Sequence, residues 1–377
     1  MEHRKNIVSN YERHINLFPG CQKGMNKINA IILANELPED HQLWIKACDK
    51  KKEKVEFRIV NLTRNDWLER VQSRSVDILL AKPGGLTSHF KQLYDERVYI
   101  LERNLGYKIY PSVEEILIYE NKRFLSYWLN ANNIPHPPTD VFYNQKEAEE
   151  FLSKCFFPIV AKTNIGASGS GIMILKNQHQ AINYLRQTFS LKGAPKQAGP
   201  NLSKGNLIIR GLHYFKYPND LGKKLRIYRA KRSDYQYGYV IFQRFIPHDF
   251  EWRVVRIGDS FFAHQKLKIG DKASGSLIKA YENPPYDLLD FVKSITDRHR
   301  LFSQAVDVFE TDKGYLINEM QCIFGQSDPY QMLVNGIPGR YRFIEDIWNF
   351  EEGMFNTNES YDLRLEYAIS MIEKDLL

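Results

Sequence analysis

At 377 residues, with 43% hydrophobic content and a formal net charge of +7, the chain is long enough for two or three packed domains and too apolar for extended disorder. Its polar opening, MEHRKNIVSNYERH, predicts no signal peptide, and no apolar run reaches the length of a membrane span. Cys21, Cys48, Cys155 and Cys322 are scattered without a CxxC pair, which argues against a disulfide framework or zinc site and for a reducing, cytoplasmic setting.

The first hundred residues alternate strand-like and helix-like segments. "INAIILAN" (28–35), "VEFRIVNL" (55–62) and "VDILLAKPG" (from Val76) read as buried strands, with helices in the polar stretch to about Lys52 and in "RNDWLERVQ". Such alternation predicts a parallel, helix-covered sheet. Its ligand face should lie beyond the carboxyl ends of the strands, where Lys82, Pro83 and Gly84 fall. "NKRFLSYWLNANNIPHPP" (121–138) has apolar residues at helical spacing and a proline-rich stop. "TDVFYN" reads as a short strand and "QKEAEEFLSKC" as a charged helix.

"FPIVAKTNIGASGSGIMIL" (157–175) then joins two apolar runs through a glycine-rich loop, with Lys162 just before it. Gly166, Gly169 and Gly171 let the backbone come close to a ligand, and successive N–H groups in such a turn suit phosphate oxygens. A flexible hairpin turn is the plain structural reading of the same residues. The order is neither that of a P-loop nor that of a dinucleotide fingerprint.

Residues 191–221 are rich in Gly, Pro, Lys and Asn and read as a loop or insertion. Between Lys176 and Arg232 thirteen Lys/Arg face a single acid, Asp220, so this segment carries +12, while 39 basic and 44 acidic residues elsewhere sum to −5. A concentrated patch of this kind attracts anionic partners, or is simply a solvated face.

β-type alternation resumes at "YGYVIFQRFI" and "EWRVVRIGDSFFAHQKLKIG". In "QAVDVFETDKGYLINEMQ", a strand pair turning at 311–314, Asp307 lies opposite in phase to Val306 and Val308, and Glu319 and Gln321 share one face. Two carboxylates and an amide oxygen suit a hard cation such as Mg2+. The tail "YDLRLEYAISMIEKDLL" reads as an amphipathic helix.

Glycine loop, "VIFQRFI" strand and acidic strand pair, in this order, resemble the ATP-grasp superfamily over about 111–325. The resemblance implies an α/β (α+β) chain with an N-terminal parallel α/β domain (1–115), as in glutathione synthetase and D-alanine–D-alanine ligase. A two-part ATP-grasp fold would follow: a small lid subdomain (116–240) carrying the basic insertion 191–232, and a C-terminal subdomain with the metal platform (241–377). It implies ATP binding by Lys122, Lys162, the loop residues Gly166, Ser168, Gly169 and Gly171, the hinge Gln243, Arg244, Phe245 and Ile246, and Glu251 at the ribose. It implies Mg2+, or Mn2+ in its place, on Asp307, Glu319 and Gln321. Gln321 stands where the family usually has Asn. The family's usual Arg and Asn before the platform are replaced in "KLKIGDKASGS", and Ala305 stands where D-alanine–D-alanine ligases have Arg. Arg253 and Lys268 are therefore the candidates for the catalytic cation.

The implied activity is ADP-forming carboxylate–amine ligation through an acyl phosphate, on an acidic small molecule, peptide or sugar acid, with small-molecule or peptide substrates as partners. A homodimer through the smaller domains is in keeping with the family. A hydroxyl kinase on the same fold and a non-catalytic nucleotide-binding protein are the alternative readings. Nucleic acid is not an expected partner, because the patch lacks a known module order.

Overall fold

The computed structural model describes residues 27–37, 39–166, 171–195, 218–269, 272–273 and 278–374. Three sheets organise the chain. The first is wholly parallel, in the order β2-β1-β3-β4, with β1 (Ile28–Ala34), β2 (Val55–Asn61), β3 (Ile78–Ala81) and β4 (Ile109–Tyr110). Helices α1 (Gln42–Lys50), α2 (Trp67–Gln72) and α3 (Ser88–Tyr99) connect its strands. Ile31, Ile32 and Leu33 are fully buried, as befits a strand covered on both faces. Helix α4 (Val113–Ile118) starts in a Ser112–Glu115 capping box, and the Glu115 carboxylate also accepts from the backbone N–H of Ser303 at 2.6 Å. One side chain thus both starts a helix and ties the parallel-sheet region to the largest sheet.

Helix α5 (Lys122–Ala131) lays Leu125, Trp128 and Leu129 on the core of that largest sheet. The second sheet is antiparallel, β5-β8-β6-β7, from β5 (Thr139–Phe142), β6 (Ile159–Lys162), β7 (Ile172–Leu175) and β8 (Val240–Arg244). Helices α6 (Gln145–Lys154) and α7 (Gln178–Thr188) cover it, with Leu152, Leu185 and Phe242 between them.

The basic segment differs from its reading as a loop at one end. Residues Pro218–Ser233 form a 16-residue helix, α8, while 196–217 lie outside the described residues. The turn signals before Asp220 masked a run of good helix formers from Lys223 onward.

The third sheet has nine strands in the order β14-β13-β9-β10-β16-β15. Its central members are β9 (Phe250–Ile257) and β10 (Ser260–Ile269), with the short β11 (Lys272–Ala273) and β12 (Lys279–Ala280) pairing with β10. After helix α9 (Tyr286–Arg298) come β13 (Ser303–Thr311) and β14 (Gly314–Gln321). The segment beyond them extends the same sheet as β15 (Leu333–Val334), β16 (Ile337–Ile344) and β17 (Ile347–Glu352). The last helix, α10 (Tyr361–Glu373), returns to the parallel sheet, where Tyr361, Leu365 and Ile369 complete the core. Among the described residues no helix is long and apolar enough to cross a membrane.

Candidate functional site

Antiparallel pairing sets four residues side by side on one face of the large sheet. Glu319 on β14 opposes Asp307 on β13, Asp307 opposes Arg253 on β9, and Arg253 opposes His264 on β10. One pleat along, Glu251 opposes Lys266. The charges lock accordingly. Arg253 grips Asp307 with both arms, Nε and Nη2 donating at 2.8 and 2.9 Å. Lys266 Nζ donates to Asp307 Oδ2 and to Glu251 Oε2, each at 2.7 Å. Burial alone would raise the Asp307 carboxyl, but Arg253 and Lys266 hold it well below the usual carboxylate range.

A β-bulge between β13 and β14 shifts the register after Asp307, so that Asn318 has no partner across the ladder. This turns Asn318 onto the same face as Glu319. Its Nδ2 donates to Glu251 Oε1 at 3.0 Å, and its Oδ1 accepts from Lys162 Nζ at 2.9 Å. Lys162 comes from β6 on the second sheet, so Asn318 is a bridge between two sheets. Burial pushes the Lys162 ammonium down to about 8, against Glu319, which favours its charge.

Lys122 opens α5, where Asn121 caps the helix, and its Nζ lies 3.5 Å from Glu319 Oε1 and 3.9 Å from Glu120 Oε2. It also donates to the carbonyl of Gly166 at 3.1 Å. Burial lowers the Lys122 pKa, but Glu319 and Glu120 more than offset this and keep it charged. Burial raises the Glu319 carboxyl and Asp307 adds to this, but Lys122, Lys266 and Lys162 together more than offset them. Gln321 Nε2 donates to Glu319 Oε1 at 3.1 Å and to Glu120 Oε1 at 3.4 Å.

Above this floor runs a narrow cleft between the second and third sheets. Val160, Ile172 and Ile174 form one wall and Phe309 the other, with Lys162, Asn318 and Glu251 at the inner end and 243–246 along the edge. Gln243 turns its amide to Thr139 Oγ1 at 3.0 Å, and the Arg244 N–H is bound to the Pro138 carbonyl, which leaves Phe245 and Ile246 to border the opening.

The root of the glycine loop is held on both sides. The Gln236 amide accepts from Ile165 N–H at 3.0 Å and donates to the Ile165 carbonyl at 2.9 Å, while Gly166 N–H donates to Glu120 Oε2 at 3.3 Å. A Cβ on Gly171 would stand 1.7 Å from Thr163 Oγ1, so only glycine lets the returning strand pass there. Ser168 and Gly169 lie outside the described residues.

Of the expected residues, Lys122, Lys162, Gly166, Glu251, Arg253, Asp307, Glu319 and Gln321 converge on this floor. Lys268 does not reach it through any side-chain hydrogen bond among the described residues, and Lys266, two residues earlier on β10, does. Sequence reasoning passed over Glu120 and Asn318. Glu120 is 5% exposed and adopts φ 48°, a conformation uncommon for a residue other than glycine. Positive φ leaves no mark in the sequence, and period-2 alternation places Asn318 on the wrong face. Among the described residues no group of three or more His, Cys, Asp or Glu is arranged as a metal cluster.

Helix α8 borders the same mouth. Lys231 on it is close enough to favour the charge on Glu120, and the following Asp234 accepts from Ser88 N–H at 3.0 Å at the start of α3. A larger cavity of about 480 Å3 lies elsewhere, lined by Glu102, Lys108, His299 and Tyr367.

No protein-family description matches the sequence, and no curated protein is significantly similar to it. Solved structures do match. D-alanine–D-alanine ligase from Bacillus anthracis, complexed with ATP, is similar at 13% identity over 93% of this chain and 98% of its own, with a TM-score of 0.52. The biotin carboxylase domain of Hydrogenobacter thermophilus 2-oxoglutarate carboxylase, in complex with MgADP and bicarbonate, is similar at 13% identity over 80% of this chain and 65% of its own, with a TM-score of 0.51. The chain has the ATP-grasp fold.

Proposed function

We propose that the chain uses this ATP-grasp fold as an ATP-dependent, ADP-forming ligase that joins an acidic carboxylate substrate to an amine or similar nucleophile. The observation that carries the proposal is the convergence of two buried lysines, Lys122 and Lys162, from different elements onto the Glu319 row at the inner end of an apolar cleft. Apolar walls suit a purine ring, and fixed ammonium groups suit the phosphates beyond it.

The residues divide the work. Val160, Ile172, Ile174 and Phe309 enclose the base, and the backbone at 244–246 reads its edge. Lys122 and Lys162 hold the phosphates, beside the root of the glycine loop at Gly166. Glu319 and Gln321, with Asp307 beside them, supply hard oxygen donors. Asp307 Oδ1 takes only one of its possible hydrogen bonds, and Glu319 is shared by Gln321 and Lys122, so lone pairs remain for a divalent ion. Bound there, magnesium or manganese would neutralise phosphate charge and act as a Lewis acid.

The substrate carboxylate attacks the γ-phosphate, ADP leaves, and the nucleophile displaces phosphate from the acyl phosphate. Lys266 and Arg253 fix Asp307 and balance the site's negative charge, and phosphoryl transfer depends mainly on such positioning and charge. Helix α8 brings Lys231 near Glu120, and the basic excess of its segment favours an acidic substrate.

The test is thermal unfolding with and without ADP, each with and without Mg2+. A ligand at a hundred times its dissociation constant stabilises by about 2.7 kcal/mol. A magnesium-dependent shift that disappears in Lys122→Met is expected, followed by hydroxylamine trapping of an acyl phosphate over a panel of acids. No shift at millimolar nucleotide would overturn the proposal.

A further inference from the structure

The cleft contains one buried polar atom that nothing in the described residues satisfies and that the mechanism above does not use. It is Nε2 of His248, on the segment between β8 and β9. The His248 side chain is 9% exposed. Its Nδ1 lies 2.7 Å from the carbonyl of Ile246. A carbonyl can only accept, so Nδ1 carries the proton, and Nε2 of the neutral ring is a bare acceptor. The ring cannot easily turn away. It packs on Phe309 with centroids 4.6 Å apart and has Phe245 nearby, with centroids 6.4 Å apart.

Its neighbour Glu251 is already engaged. Glu251 Oε2 accepts from Lys266 at 2.7 Å, and Oε1 accepts from Asn318 Nδ2 at 3.0 Å. His248 Nε2 stands 3.9 Å from that same Oε1, and His248, Phe309 and Glu251 all line the cleft. A donor entering here meets one acceptor still waiting for a proton, placed where the purine wall ends and the charged floor begins. A sugar hydroxyl is a donor of that kind in that place.

We infer that His248 Nε2 accepts a hydrogen bond from a ribose hydroxyl of the bound nucleotide and is the residue that selects ribonucleotides over deoxynucleotides. This rests on the nucleotide reading above. Selection arises because a deoxynucleotide buries the same Nε2 and leaves it unsatisfied, a larger discrimination than a missing apolar contact gives.

The experiment is titration calorimetry of the full chain with Mg·ADP, 2′-deoxy-ADP, 3′-deoxy-ADP and IDP, on the wild type and on His248→Phe. Phenylalanine keeps the ring against Phe309 and removes the acceptor. The wild type should bind one of the two deoxy analogues at least tenfold more weakly than ADP. His248→Phe should bind ADP about as weakly as the wild type binds that analogue, and should no longer distinguish the two. The wild-type comparison needs no variant, so a poorly folding His248→Phe does not rescue the idea. Equal binding of ADP and both deoxy analogues overturns it. So does discrimination that survives in His248→Phe, or a loss in His248→Phe that follows IDP, which would assign Nε2 to the adenine amino group. A wild type that binds none of these nucleotides overturns the underlying nucleotide reading as well, and is told apart from the first failure by that total absence.

Discussion

Replacing Lys162 with methionine should stabilise the ligand-free protein while abolishing nucleotide binding. Lys162 is 7% exposed, and burial lowers its pKa from the ordinary 10.5 to about 8. The unfolded chain therefore holds the proton more tightly than the folded one. The folded state is penalised by roughly 3 kcal/mol wherever it carries that charge, which is below about pH 8. Between pH 8 and 10.5 the unfolded chain binds more protons, so stability rises with pH and the penalty fades to about 1 kcal/mol near pH 10. Methionine keeps the aliphatic stem but leaves Asn318 Oδ1 without its donor, at about 1 kcal/mol. The net gain at pH 7 should be about 2 kcal/mol, and it should vanish near pH 10. Urea denaturation at the two pH values measures it. Asn318→Asp is the converse control. It places a carboxylate beside the ammonium, raises its pKa and should flatten the alkaline rise. A Lys162→Met protein that is less stable than wild type at pH 7, or one whose gain is unchanged at pH 10, would refute the reasoning.

Other perturbations separate binding from support. Arg253→Ala removes the bidentate partner of a fully buried carboxylate and should cost about 3–5 kcal/mol in denaturant unfolding; Arg253→Lys should recover only part of it, because a lysine cannot grip both oxygens. The Asp307 carboxyl titrates well below its unfolded value, so the stability it contributes is present above about pH 4 and is lost as the pH falls towards its native value. Asp307→Asn should therefore lower stability at pH 7 and flatten the acid limb of a pH–stability profile. Gly171→Ala should destabilise by about 1–3 kcal/mol, since its Cβ collides with Thr163, and should slow or weaken nucleotide binding in the same calorimeter.

What the sequence makes legible here, and what it hides, follows from which forces act locally. The parallel sheet shows through because Ile31, Ile32 and Leu33 are buried on both faces and so form an unbroken apolar run. Glu319 and Gln321 are legible as a pair because strand alternation is local. Asn318 is not, because its orientation comes from a register slip against β13, a relation between residues far apart in the chain. Lys266 and Lys268 look equivalent, both lysines on one strand and one pleat apart. What separates them is that Lys266 opposes Glu251 and neighbours Asp307 across β9 and β13, while Lys268 opposes Ala273 at the strand's end.

The same comparison explains how the site stays intact with so many charges inside. Lys122, Lys162, Arg253 and Lys266 face Glu120, Glu251, Asp307 and Glu319. Three of the four cations are paired directly with carboxylates, which outweigh burial and keep their charge favoured. Lys162 is held instead by a neutral amide, and it is the cation whose pKa burial depresses. A lysine compensated by a carboxylate contributes to the fold whether or not a ligand arrives. On the proposed nucleotide reading, a lysine left on an amide gains a directly bonded anion when phosphate enters the cleft, and part of the destabilisation it imposes on the free protein would be returned as binding energy. Lys162 is thus the position at which stability and nucleotide affinity should trade against each other, and the bulge that supplies Asn318 is what sets that exchange.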